Sequence, residues 1–329
     1  MNNDTFEVPS VLLGKDGLKV GVQGFGTMAM GTGIYGPTDE TEARATLERA
    51  LERGVTLFDT ADIYGDGAGE SFLGSFVREH RNQVVLATKF GFVKTNDEQT
   101  PYRIDNSPES IHKAVDASLL RLGIDHIDLY YMHRRNREIP LADSIGAMAE
   151  LVTAGKVRYL GLSEVTGDEL RQADAIHSIA AIQSEWSLFS RDVEQSSVPV
   201  AAELGIGFVS FSPLGRGMLS GVVDTTKLDE DDARRYYPRF ADGHAQSNAQ
   251  LVQKIAQLAE ERGITPSQVA LSWLYARSQV HGLTVVPIPG TRKRSRLEEN
   301  LGALDVQLTQ IELANLDRLA ESVQGIRGA

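Results

Sequence analysis

The chain of 329 residues contains no cysteine, which excludes disulfides, thiolate nucleophiles and Cys-ligated metals. It also lacks any apolar run near the roughly 20 residues a helix needs to cross a bilayer. Positive charge is in deficit: 33 Lys and Arg stand against 45 Asp and Glu, for a formal net charge of −12. That sign argues against a general affinity for nucleic acid or for an anionic membrane. Met1 to Ser10 shows no basic segment followed by an apolar one, so no signal peptide is expected and a cytoplasmic protein is. No Pro-, Gly- or Ser-rich linker divides the chain and no short repeat is visible, so one domain over residues 1–329 is expected.

What is present is an ordinary globular composition, 41% hydrophobic and 24% charged, in a chain long enough to bury a large core. Short apolar runs alternate with helical periodicity almost throughout. The first strand is expected near Gly21–Phe25 with its helix at Glu40–Arg53, then a strand at Val55–Phe58 and a helix near Glu70–Arg78. Strands at Val84–Thr88, Ile127–Met132, Val157–Leu162, Ala180–Gln183, Gly207–Phe211 and Thr284–Pro287 follow. Helices are expected at Pro108–Leu122, Ala142–Thr153, Gly167–Ile176, Val198–Glu203, Asn248–Arg262 and Arg294–Leu301. Helix starts are marked by Ser107 before Pro108 and by capping boxes at Thr166/Glu169, Thr265/Gln268 and Thr309/Glu312. About eight βα units read as an α/β fold, a closed (β/α)8 TIM barrel. Outside the units lie an N-terminal hairpin turning at Gly14-Lys15-Asp16-Gly17, a final extra helix at about Gln310–Ser322, and a long polar connection from Gly215 to Gln246. Such a connection is expected to be a lid, ordered by ligand and mobile without it.

Three of the strands end in titratable residues. Val55–Phe58 leads to Asp59, with Tyr64 five residues on; Val84–Thr88 leads to Lys89; Ile127–Met132 leads to His133. Catalytic groups of such barrels lie at these C-terminal strand ends. Taken singly, the aspartate reads as a turn or N-cap residue, the tyrosine as packing, the lysine as solvated and the histidine as a hydrogen-bonded core residue. Together they form a set able to move a proton.

The runs Phe-Asp-Thr-Ala-Asp-Ile-Tyr-Gly around Asp59 and Tyr64, Ala-Thr-Lys-Phe-Gly around Lys89, and Asp-Leu-Tyr-Tyr-Met-His ending at His133 resemble the signatures of the aldo-keto reductases. The resemblance covers Val20 to Leu319. It implies an oxidoreductase that reduces aldehydes or ketones with NADP(H) as cofactor and a small-molecule carbonyl compound as partner. Asp59, Tyr64, Lys89 and His133 would be the catalytic tetrad, with Tyr64 as general acid. A nearby ammonium lowers a phenol's pKa, so Lys89 would make Tyr64 a stronger acid and Asp59 would orient Lys89.

A second motif is the run from Pro287 to Asn300, with four basic residues, Arg292, Lys293, Arg294 and Arg296, at a helix start. Cations there oppose the helix dipole; the run reads either as a solvated basic turn or as a site whose conflict a bound phosphate relieves. By resemblance, Thr291, Arg292 and Arg296 would hold an adenosine 2′-phosphate, favouring NADP over NAD, with Arg296 also stacking on the adenine, Glu299 and Asn300 meeting its edge, and Gly290 among the cofactor contacts. Gly26, Thr27 and Met28 would line the nicotinamide ribose, and Ser163 and Gln183 the carboxamide. Phe211 stands where many relatives place a stacking Tyr, and Glu164 where Asn is common. Ser212, Leu214, Gly215 and Gly217 would wrap the pyrophosphate. Tyr64, Phe90, His133, Trp186 and Met28 would line the substrate pocket, less covered than in relatives because the tail after the last helix is short. The chain is similar to the pyridoxal-reductase-like subgroup, which hints at pyridoxal-type or xenobiotic aldehydes.

Other readings differ in class. Aldo-keto reductase barrels also serve as NADPH-sensing auxiliary subunits of potassium channels, and a barrel lyase could use Lys89 as a Schiff base, which would leave the adenosine motif unexplained. Gly24-Phe25-Gly26 lacks the third glycine and immediate helix of a dinucleotide fingerprint. His80, His112, His126, His177, His244 and His281 lack metal-ligand spacing, so no metal is expected. Nothing in the sequence sets the oligomeric state.

Overall fold

The computed structural model describes residues 7–31, 36–223, 228, 232–241 and 243–327. It opens with an antiparallel hairpin, β1 (Ser10–Leu13) and β2 (Leu18–Gly21). The hairpin closes the barrel floor because Leu13, Leu18 and Val20 pack against the inward side chains Leu57, Ala87, Leu129 and Val209. Its turn is clamped by Lys15 N–H donating to Gly205 O at 2.7 Å.

Eight parallel strands follow. They are β3 (Phe25–Gly26), β4 (Leu57–Asp59), β5 (Val85–Phe90), β8 (Ile127–Met132), β9 (Val157–Ser163), β10 (Ala181–Glu185), β11 (Gly207–Phe211) and β12 (Val285–Pro287), hydrogen-bonded in that order. Gly24 N–H donating to Pro287 O at 2.9 Å brings the two ends of the sheet together, giving a nearly closed (β/α)8 barrel. Around it lie α1 (Glu40–Glu52), α2 (Ala68–Glu79), α3 (Pro108–Leu122), α4 (Leu141–Thr153), α5 (Gly167–Ile176), α6 (Ser197–Leu204), α7 (His244–Arg262), α8 (Pro266–His281) and α9 (Arg294–Leu301), with α10 (Gln310–Ala320) last. The Ser107 cap and all three capping boxes form as expected.

The period of two along each strand decides what faces the barrel axis. On β5, Ala87 and Lys89 point inward while Leu86 and Phe90 join the outer layer against the helices. The same alternation sends Asp59 inward beyond Leu57, and Gln183 inward beyond Ala181.

The structure departs from the sequence expectations at several places. The first barrel strand is Phe25–Gly26, not Gly21–Phe25, because Leu18–Gly21 is already paired in the hairpin. Helix α8 is marked in the sequence only by its capping box, and its body is not among the expected helices. It buries Val269, Ala270, Leu271, Trp273, Leu274, two serines and Arg277 around most of its circumference, which erases the one-sided stripe that reveals a helix. A small ribbon, β6 (Phe92–Lys94) with β7 (Tyr102–Ile104), adds an antiparallel pair at the top of the barrel. The connection after β11 carries 3₁₀ turns at Gly215–Ser220, Ala233–Tyr236 and Pro238–Phe240, and α7 starts four residues before the expected Asn248. Residues 224–227, 229–231 and 242 of that connection lie outside the described residues. In the tail, Arg327 folds back onto Glu164, 2.8 Å away, and Asp192, 3.1 Å away.

Candidate active site

At the C-terminal ends of β4 and β5, Lys89 Nζ donates to Asp59 Oδ1 at 2.5 Å and to the backbone carbonyl of Thr60 at 2.8 Å. It also lies 3.4 Å from Tyr64 Oη. Tyr64 reaches this point because the chain leaves β4 through a tight turn, with Gly65 and Gly67 at φ 60° and 91° before α2. The other oxygen of Asp59 accepts from Gln183 Nε2 at 2.8 Å. His133, at the end of β8, stands edge-on to Tyr64 with ring centroids 6.0 Å apart. The four residues from three strand ends thus meet in one buried cluster.

Its electrostatics follow from burial against charge. Burial opposes the Lys89 ammonium, but Asp59 and Tyr64 outweigh it and hold its pKa above the ordinary lysine value. Burial raises the Asp59 carboxyl above its ordinary value, with Lys89 and Gln183 pulling the other way. Burial also raises the Tyr64 phenol above 10, with Lys89 opposing. The expectation of a phenol made more acidic is corrected in its net sign: the ammonium acts in the expected direction, and desolvation is larger. His133 is held well below 6.5 by burial and by the neighbouring Lys89 and Arg134 charges, so its imidazole is neutral at neutral pH. Asp62, two residues before Tyr64, is pushed up to about 7 by burial and by Glu70.

A cleft of about 490 Å³ opens from Tyr64 and His133 across the barrel top to Arg296. Gly26, Met28, Asp59, Gln183, Phe211, Ser212, Leu214, Gly217, Gly290, Thr291 and Arg292 also line it. Other expected site residues lie behind it. Thr27 is buried and donates through Oγ1 to Asp59 O at 2.9 Å, Ser163 is buried beside Arg134, and Gly215 begins the turn beneath the lip. Glu299 binds Arg296 at 2.6 Å and Asn300 is buried in α9.

One expectation fails. Phe90 and Trp186 do not line the cleft; both are fully buried in the outer layer. The strand alternation that brings Lys89 inward turns Phe90 out onto Tyr130, and Trp186 packs on Phe208 with its indole N–H donating to Glu194. The electrostatic conflict at α9 is also partly relieved within the chain. Arg294 pairs with Glu42 at 2.8 Å, Arg296 with Glu299, and Arg292 donates to the carbonyls of Gly36 and Pro37.

Sequence reasoning missed Arg134 and Arg216, which also line the cleft. Arg134 follows His133 directly. Arg216 sits between the two glycines of the turn at φ 54°, with its guanidinium 2.8 Å from the fully buried Glu185 and 4.1 Å from the centre of the Tyr237 ring. Nothing local in the sequence pairs Glu185 with Arg216, 31 positions away. His80 does meet Glu48 and Glu79, but Arg44 bridges both carboxylates at 2.5 Å, so a guanidinium already neutralises the group.

The residues fit a nicotinamide dinucleotide. Gly26 and Gly290 face each other so closely that a Cβ on Gly290 would stand 2.5 Å from Gly26 O, which keeps the cleft open to backbone donors and acceptors. His133 Nδ1 is buried with no partner among the described residues.

Residues 24–321 match the model of the Aldo/keto reductase family. The chain belongs to this family. A probable aldo-keto reductase 1 of Glycine max is 38% identical over 312 residues, spanning 94% of this chain and 88% of the relative. A glycerol dehydrogenase structure from Gluconobacter oxydans superposes with a TM-score of 0.82 at 27% identity, over 98% of this chain and 97% of that one. A thermostable aldo-keto reductase solved with the inhibitor epalrestat gives a TM-score of 0.72, also at 27% identity, over 94% and 99%. Membership supports an oxidoreductase acting on carbonyl compounds. No helix among the described residues is long and apolar enough to cross a membrane.

Proposed function

We propose that this family member reduces small aldehydes or ketones to alcohols with NADPH, and that Tyr64 donates the proton. The observation that carries the reading is the buried chain Gln183–Asp59–Lys89–Tyr64, which ends at the floor of the cleft beside His133. Bound NADPH would supply the hydride to the carbonyl carbon. The protein then has to bring one proton to the carbonyl oxygen and stabilise the charge that develops there. Tyr64 keeps its proton at neutral pH, so the donor is loaded before reaction. Lys89 stabilises the phenolate left behind, and Asp59, fixed by Gln183, holds Lys89 charged. The neutral His133 offers a second hydrogen bond to the same oxygen without competing as an acid.

Thr291, Arg292 and Arg296 would hold the 2′-phosphate, with Glu299 and Asn300 toward the adenine. The turn from Ser212 through Leu214, Gly215 and Gly217 would hold the pyrophosphate. Gly26, Thr27, Met28, Ser163, Gln183 and Phe211 would hold the nicotinamide end.

The test is NADPH oxidation with 4-nitrobenzaldehyde by the native chain and by Tyr64→Phe. Turnover by the native chain is expected, with a loss of about 10²–10⁴ in the variant, the usual worth of general acid assistance, and retained NADPH binding. Tight NADPH binding without turnover by the native chain would favour the sensing-subunit reading instead. Near-native turnover by Tyr64→Phe would remove Tyr64 from the proposed role.

A further inference from the structure

Six cationic side chains line the cleft, and they do not stand in equivalent positions. Arg292, Lys293 and Arg296 lie together at the far end, near α9. Arg216 is tied to buried Glu185, and Arg234 to Asp232 at 2.6 Å. The sixth, Arg134, is at the other end, with Tyr64 and His133.

Its surroundings are unusual for a guanidinium. The two hydrogen bonds it makes go to neutral acceptors, the carbonyl of His133 at 2.8 Å and the Ser163 hydroxyl at 3.5 Å. Among the described residues no carboxylate lies within ion-pair distance of it. The carboxylate that acts on it across space, Glu164, is already committed: it grips Arg327 with both oxygens and accepts from the Glu185 N–H at 3.0 Å. Arg134 is largely desolvated, and Arg327 adds a second positive field, so its charged form is disfavoured relative to an ordinary arginine. The position is nevertheless held firmly. Asn106 donates from Nδ2 to the Arg134 carbonyl at 3.0 Å and accepts the Asn136 N–H at 2.6 Å. A fixed, partly buried cation with no direct counterion is costly for the empty protein and is relieved when an anion binds.

We propose that Arg134 is a specificity-determining residue that binds a carboxylate on the substrate, so the compounds this site prefers are aldehydes or ketones bearing an anionic group within a few bonds of the carbonyl. The inference rests on the carbonyl-reductase reading of the same cleft. Arg134 lines the same cleft as Tyr64 and His133, and its charge is felt by both, so it stands where it can meet a group close to the oxygen that they address. The planar guanidinium fork suits a carboxylate better than an ammonium would. His133, kept neutral by burial and by Lys89 and Arg134, does not add a competing charge.

The test compares 2-, 3- and 4-formylbenzoate with their methyl esters, which remove the charge and keep the ring. In the native chain at least one acid is expected to exceed its ester by about tenfold or more in kcat/KM, the worth of one charge-assisted contact, expressed mainly in KM. Arg134→Met is expected to bring that ratio to about one, and Arg134→Lys to retain part of it. No acid preferred over its ester, or a ratio unchanged in Arg134→Met, overturns the inference. So does an equal loss for acids and esters with a raised KM for NADPH, which would make Arg134 a cofactor or structural residue. Benzoate binding followed by calorimetry, with and without NADP⁺, separates this inference from the reductase reading. Weaker binding to Arg134→Met supports the anion site even if no aldehyde is reduced. Equal binding, or none to the native chain, overturns it whatever the turnover.

Discussion

At the scale of the residue, the tetrad's chemistry is set by how much charge each buried group must carry alone. Tyr64 titrates above 10 because burial outweighs the Lys89 ammonium 3.4 Å away. In the proposed reduction the phenol donates while protonated, so kcat/KM for reduction is expected to be level through neutral pH and to fall only in alkaline solution. Lys89→Met removes the opposing charge; the phenol becomes a weaker acid, the plateau drops and the alkaline fall moves to higher pH. A pH–rate profile identical to the native one would contradict this account. His133 gives a stability prediction of known sign. Its folded pKa is held below 6.5, so below that pH the unfolded chain binds a proton that the native site refuses. Stability from this group is full above about 6.5 and is lost on acidification at up to about 1.4 kcal/mol per pH unit. Denaturant midpoints at pH 7 and pH 5 should converge for His133→Asn relative to the native chain; an unchanged difference would assign the acid loss to other groups.

At the scale of the element, the turn after β11 is held from beneath by β10. Glu185 at the end of that strand is fully buried; it accepts from Arg216 at 2.8 Å and Ser190 at 2.6 Å, with Arg239 at 3.4 Å. Removing the carboxylate takes the buried counter-charge away from two largely buried guanidinium groups. Glu185→Ala is therefore expected to cost about 3–5 kcal/mol in unfolding free energy, the usual result of breaking one side of a buried pair. Because Arg216 carries the turn, NADPH dissociation is expected to quicken in the same variant. Chemical denaturation and stopped-flow release measure the two effects; native values for both would mean the turn is held by other contacts. Helix α8 belongs to the same scale. Thr265 and Gln268 announce its first turn in the sequence, and its body, buried on most sides, gives no helical stripe.

For the whole molecule, the issue is a basic cluster at one end of a cleft in a chain of net charge −12. Arg294 and Arg296 have carboxylate partners, so part of the cluster's charge is met within the chain. Arg296 is nevertheless 44% exposed and lines the cleft, which leaves its fork accessible to a phosphate. A charge-assisted contact is worth about 1.5–3 kcal/mol, and about 1.4 kcal/mol is tenfold in affinity. NADPH is expected to bind at least tenfold more tightly than NADH. Arg296→Ala should weaken NADPH far more than NADH, and added salt should do the same. Equal dissociation constants for the two dinucleotides in the native chain would leave the cluster as a surface turn.

The alternation of short strands with capped helices determined the barrel, because a repeating βα period has few ways to bury its apolar faces. The bounds of α3, α5, α9, β8 and β11 could be read from caps and apolar runs alone. The titratable strand ends also pointed to Asp59, Tyr64, Lys89 and His133. Tertiary structure decided which way each side chain faces: Phe90 follows Lys89 by one residue and turns outward, and Trp186 lies on the outer layer for the same reason. It also decided the net sign of the Tyr64 shift, since desolvation depends on everything packed around the phenol. The partners of the buried charges were beyond local reading as well. Glu185 with Arg216, Glu164 with Arg327, and the absence of a direct counterion at Arg134 are long-range facts, fixed when the barrel closes and the tail folds across its top.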